Sequence, residues 1–104
     1  MVATFAEAAT VVRNAIINKY PQISRAFIFG SFAEGAQTTG SDLDVLVELN
    51  ASMGLQFISM IQDIKQAAGT AVDVITINQA RDLEKKFGYD ILRKARPVYE
   101  RAEN

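Results

Sequence analysis

Two aspartates one residue apart, Asp42 and Asp44, stand at the head of an apolar run, Val45-Leu46-Val47. In a strand, residues two apart share a face, so the pair would aim two carboxylates at one spot. Carboxylates placed like that repel each other unless a cation sits between them. Mg2+ suits such a pure oxygen set and commonly shares its ligands with a substrate's phosphates. Ten residues separate the pair from Gly30-Ser31, which closes another apolar run, Ala26 to Phe29. A glycine there allows a sharp bend or a close backbone approach to a ligand. One helical turn over Ser31, Phe32, Ala33 and Glu34 would offer free N–H groups, with the Ser31 hydroxyl, to a phosphate. A third acid, Asp73, lies between Val72 and Val74 inside the next apolar run. A carboxylate inside a strand needs a cation, an arginine or a set of N–H donors for company.

Composition narrows the chemistry. The 104 residues include no cysteine and no histidine. Thiolate nucleophiles, disulfides, zinc–thiolate sites and imidazole bases are therefore excluded. What remains is chemistry on carboxylates, hydroxyls, Lys and Arg. The length fits one domain, residues 1–104, and the net charge of −1 disfavours nucleic acid as the direct substrate. No apolar run approaches a membrane span and residues 1–20 lack a signal-peptide pattern, so the expected location is the cytoplasm.

The elements that must position the acids follow from periodicity. Residues 4–19 read as a helix opened by a Thr4/Glu7 capping box, with Phe5, Ala8, Ala9, Val12, Ala15 and Ile16 inward. Lys19 suits its C-terminal dipole, and Pro21 stops it. Ala26 to Phe29 and Leu43 to Leu49 read as strands. Asn50-Ala51-Ser52 reads as a turn and helix cap, leading to a helix that carries Phe57, Ile61, Ile64 and Ala68 and ends at Gly69. Ala71 to Ile77 is a third strand. Asn78 is expected to cap a long helix to about Lys94, with Leu83, Phe87 and Ile91 inward and a weak point at Gly88. Arg96 to Tyr99 contains Pro97 and reads at best as an edge strand. Strands alternating with helices predict an α/β layer. Arg81, Lys85, Lys86, Arg93 and Lys94 read as a solvated face, with a minority reading as a patch facing phosphate or a partner. Tyr89 and Tyr99 could stack on a base or a partner.

Gly30-Ser31, the ten-residue spacer, Asp42-X-Asp44 and the distal Asp73 together resemble the signature of the nucleotidyltransferase superfamily related to DNA polymerase β. More closely, the chain resembles the minimal nucleotidyltransferases (MNT proteins) that are paired with HEPN-type toxins. The resemblance runs from the first helix to the Tyr99 segment. It implies an α/β (α+β) polymerase β-like core: a small mixed three-stranded sheet, with room for a short fourth edge strand, under covering helices. It also implies a metal-dependent transferase that passes AMP from ATP to a hydroxyl. Asp42, Asp44 and Asp73 would be the catalytic acids and the ligands of two Mg2+ ions about 3.5–4 Å apart. Gly30 and Ser31 would bind the nucleotide. The implied partner is a cognate HEPN-type toxin, modified on a tyrosine and so silenced. Alternatives are a small-molecule acceptor such as an aminoglycoside, or a non-catalytic antitoxin acting by binding alone. One departure stands out. Many relatives carry Arg after the Gly-Ser turn, where this chain has Ala33-Glu34-Gly35, an acid of the wrong sign for a triphosphate unless it points to solvent.

Overall fold

Residues 1–102 are described by the computed structural model. Along the chain they form α1 (Phe5–Ile17), β1 (Ile23–Phe29), α2 (Ser31–Glu34), β2 (Leu43–Leu49), α3 (Leu55–Ala68), β3 (Val72–Thr76), α4 (Ile77–Phe87), α5 (Ile91–Lys94) and β4 (Arg96–Glu100). The strands lie in the order β3-β2-β1-β4, so the expected three strands are joined by the short fourth edge strand that Arg96 to Tyr99 allowed. β1 is antiparallel to both β2 and β4, whereas β2 and β3 run parallel through the α3 crossover. Pro97 is tolerated because β4 is an edge strand.

Each face of the sheet has its own apolar layer, which is why the strands alternate so little. On one face, Ala26, Ile28, Leu43, Val45, Val47, Val74 and Val98 pack against Ala8, Val12 and Ile16 of α1 and Met60, Ile64 and Ala68 of α3. Burying one such Val, Ile or Leu side chain contributes about 1.5–3 kcal/mol. On the other face, Leu46 packs with Ile77 and Ala80 of α4, joined by Phe27, Phe29, Ile75 and the α5 residues Ile91 and Leu92. Asp44 lies two residues before Leu46, so it faces this second layer.

Local chemistry sets the helix ends. The Thr4/Glu7 capping box is present: the Glu7 amide donates to Thr4 Oγ1 at 3.1 Å, and Glu7 Oε1 accepts the Thr4 amide at 3.1 Å. Backbone amides hold the Glu7 carboxyl below the usual carboxylate range. α1 stops at Ile17, earlier than expected, with no basic residue in its last turn. Lys19 instead pairs with Asp63 of α3 at 2.8 Å. Asn50 caps no helix. Its amide side chain donates to the Pro21 carbonyl at 3.1 Å, and α3 begins after Gly54.

The expected helix from Asn78 to Lys94 is two helices. Thr76, and not Asn78, caps α4, through a reciprocal box with Gln79. Gly88 ends α4 in the left-handed conformation, φ 71°, and α5 starts afresh. Phe87 therefore does not turn inward; it is 63% exposed and stacks on Tyr89 with centroids 5.6 Å apart. Tyr99 belongs to the core. No helix among the described residues is long and apolar enough to cross a membrane.

Candidate functional site

The parallel ladder makes Asp44 and Asp73 direct Cα partners. Neighbouring strands lie about 4.8 Å apart and paired residues share a face, so the two carboxyls stand side by side on the α4–α5 face. β2 begins at Leu43, which leaves Asp42 one residue ahead of the strand, exposed. Asp73 is exposed too, and Asp44 is half-buried.

This setting drives the Asp44 carboxyl up to about 6: burial is the largest cause, followed by the charge of Asp73 and then that of Asp42. Among the described residues no lysine or arginine pairs with these three acids; the ion pairs are Lys19–Asp63, Arg25–Glu48, Arg93–Asp90 and Lys94–Glu34. Glu48 shows the opposite case on the same strand. The Arg25 guanidinium and the Ser24 hydroxyl pull its carboxyl down to about 2.

Beside the acids, β1 ends at Phe29, the ladder partner of Asp44, and Gly30 follows directly. Gly30 has φ 71° and ψ −150°, a conformation that side chains other than glycine's rarely adopt. A Cβ built there would overlap Asp44 Oδ2 and lie 3.2 Å from Asp44 Cγ. The chain then coils into α2, where the Ala33 and Glu34 amides donate to the Gly30 carbonyl, each at 3.1 Å. Ser31, half-buried, leads that turn. The fold thus brings Gly30, Ser31, Asp42, Asp44 and Asp73 to one end of the sheet.

The acids are not drawn together as a finished cage: among the described residues no group of three acidic side chains is arranged to hold a metal ion. Their donor chemistry nevertheless fits Mg2+, which keeps several waters and takes only one or two carboxylates before sharing phosphate oxygens. Asp44, raised first by burial and then by two neighbouring acids, sits where a bound cation would favour its charged form.

Glu34 does not project its charge unpaired. Its carboxylate meets Lys94 of α5 at 3.5 Å. Sixty residues separate the two, so no local pattern in the sequence announces the pair. A different cavity, about 680 Å³ and lined by Ser24, Arg25, Glu48 and Arg101, lies toward the other end of β2. There Arg25 and Glu48 already satisfy each other, at 2.8 Å and 2.9 Å.

Comparison with known proteins points the same way. The profile of the family described as polymerase beta, nucleotidyltransferase, matches residues 14–104. A Methanocaldococcus jannaschii protein named provisionally as a protein adenylyltransferase is 36% identical over 64 residues, covering 61% of this chain and 69% of the relative. A toxin–antitoxin crystal structure with AMP-PNP superposes with TM-score 0.72 at 16% identity, over 89% of this chain and 73% of the other. A structure of the tri-AMPylated Shewanella oneidensis HEPN toxin in complex with MNT antitoxin gives TM-score 0.68 at 12% identity, over 94% and 74%.

Proposed function

This chain belongs to the polymerase beta nucleotidyltransferase family, and from that premise we propose that it transfers AMP from ATP to a hydroxyl of a partner protein. The observation that carries the site assignment is the side-by-side pairing of Asp44 with Asp73, flanked by Asp42 and backed by Gly30. In this reading Asp42, Asp44 and Asp73 hold Mg2+. When bound, the metal supplies positive charge that neutralises the phosphates and lowers the cost of the attacking and leaving oxygens. The Gly30-Ser31 turn presents backbone donors and a hydroxyl to the triphosphate. Asp73, which is exposed, would accept the proton of the acceptor hydroxyl. The acceptor oxygen bonds to the α-phosphorus, the bond from that phosphorus to the β-bridging oxygen breaks, and pyrophosphate leaves. Positioning and charge neutralisation account for most of the rate, as in other phosphate-transfer sites.

The acceptor proposed is a tyrosine of a HEPN-type toxin, with this chain as its antitoxin. Two things support it. Asp42 and Asp73 are exposed at this end of the sheet, as a protein-borne hydroxyl requires, and a solved structure that superposes on this chain is that of a tri-AMPylated HEPN toxin in complex with MNT antitoxin. The test is to mix the chain with the product of an adjacent HEPN-like gene, ATP and Mg2+, and to weigh the partner. AMP on a partner tyrosine is the expected result. A partner of unchanged mass, alongside an aminoglycoside or other small hydroxyl compound that does gain AMP, would redirect the acceptor to small molecules.

A further inference from the structure

We infer that Lys94 is a phosphate-binding residue of this site, parked against Glu34 until a triphosphate displaces that carboxylate. The inference rests on the nucleotidyl-transfer reading above and adds a ligand-binding group to it. Its geometry comes from the contact between α5 and α2. Lys94 closes α5, and its ammonium lies 3.5 Å from Glu34 Oε1. Glu34 is the last residue of α2, and its amide donates to the Gly30 carbonyl at 3.1 Å, so Lys94 is held beside the turn that would carry the phosphates. It also stands on the correct face, because its neighbours in α5, Ile91 and Leu92, pack in the layer that contains Leu46, the layer Asp44 faces.

α5 is held firmly enough to aim the side chain. Glu84 Oε2 accepts the backbone amides of Ile91 and Leu92 at 2.8 Å and 2.9 Å. The neighbouring cations are committed elsewhere. Arg93 is engaged by Asp90, and the Arg96 guanidinium lies 3.7 Å from the centroid of the Phe5 ring. Among the described residues the ion-pair partner of Lys94 is Glu34, at 3.5 Å, with the two side chains 49% and 50% exposed; Asp90 feels its charge but is hydrogen-bonded by Arg93. An exposed pair of that kind is worth little, whereas a triphosphate presents several charged oxygens to the same ammonium. Exchanging Glu34 for phosphate therefore favours the bound state, and Glu34 competes with the ligand.

Calorimetric titration of the whole chain with ATP, and separately with AMP, in Mg2+ tests this. Lys94→Ala should weaken ATP about tenfold, the size of one charge-assisted contact, and leave AMP within about twofold. Lys94→Arg should keep most ATP affinity. Glu34→Ala should tighten ATP, a sign that a merely structural ion pair would not give. Wild-type ATP binding that survives Lys94→Ala, an equal loss for ATP and AMP, or weakening by Glu34→Ala would each overturn the Lys94 assignment alone. A wild-type chain that binds no nucleoside triphosphate would overturn the nucleotidyl-transfer reading, and this one with it. Lys94→Gln, with unfolding followed by circular dichroism, separates lost contact from lost fold.

Discussion

The space a side chain would need at Gly30 is occupied by the carboxylate of Asp44. The glycine is thus required twice, once for its positive φ and once for the acid across the ladder. It is a feature of the site as much as of the turn, since the close approach lets the backbone after β1 sit against the carboxylates.

Gly30→Ala should therefore cost more than a left-handed alanine alone. Strain of that kind is about 1–3 kcal/mol, and the overlap with Asp44 adds to it. Thermal unfolding in chelator should show a drop of several degrees, at about 4–8 °C per kcal/mol for a domain of this size. Gly30→Ala combined with Asp44→Ala should recover the overlap part and keep the strain part. Strict additivity in that double-mutant cycle would mean that the two residues do not touch.

Asp44→Asn separates stability from activity. The Asp44 carboxyl titrates near 6 in the folded chain, against 3.8 as its ordinary value. Between those values the folded state holds a proton that the unfolded state has released, so this group's contribution to stability falls as pH rises through the window. Asparagine carries no charge and escapes that loss. In metal-free denaturation the variant should match the wild type near pH 4 and exceed it by pH 7.5, while nucleotidyl transfer is abolished. A variant that is less stable than the wild type at pH 7.5 would contradict the uncompensated-charge reading of the site.

Mg2+ should stabilise the wild-type chain and a chelator should reverse the gain. Binding to the folded state alone contributes about 2.7 kcal/mol at a metal concentration one hundred times Kd. Asp73→Asn should shrink that gain because it removes a carboxylate next to Asp44, while metal-free stability at pH 7.5 should be equal to or slightly above the wild type's, since the Asp73 charge is one of those that raise Asp44. An equal Mg2+ response in both proteins would take Asp73 out of the metal set.

Much of the site was legible because its signals are local or depend on simple alternation. Asp42-X-Asp44 leading into an apolar strand needs only a period of two, and Asp73 between two valines is conspicuous wherever its strand lies. The Thr4/Glu7 box and the Gly69 cap are likewise written within four residues. What stayed hidden depends on distant partners. Asn50 has the right type for a helix cap, but the Pro21 carbonyl claims its side chain. Thr76 ends a strand and caps a helix at once, so a reading that kept the strand running to Ile77 pushed the cap on to Asn78. β1 begins three residues earlier than its apolar run suggests, because a register shift between Ile23 and Arg25 lets Ile23 reach the core. The fourth strand has a proline and two charged ends, so its residues suggest at best an edge strand, and its pairing with β1 makes it one.

The break at Gly88 gives Glu84 a task that a continuous helix would not offer. Its carboxylate turns back over the break and takes both the Ile91 and Leu92 amides, two donors that α5 cannot satisfy itself. Glu84→Ala would leave those donors without their partner in a partly buried place. The expected loss is about 0.5–2 kcal/mol, the range for removing a helix cap, read by urea denaturation with an unchanged slope. Glu84→Gln keeps a carbonyl oxygen as acceptor and should lose less. Because α5 carries Lys94, Glu84→Ala should also slow AMP transfer more than Glu84→Gln does, while Lys85→Ala, one residue along on the exposed face, should leave both stability and transfer near the wild type. If Glu84→Ala proves neutral in both assays, α5 is held by its apolar contacts alone and the carboxylate cap is incidental.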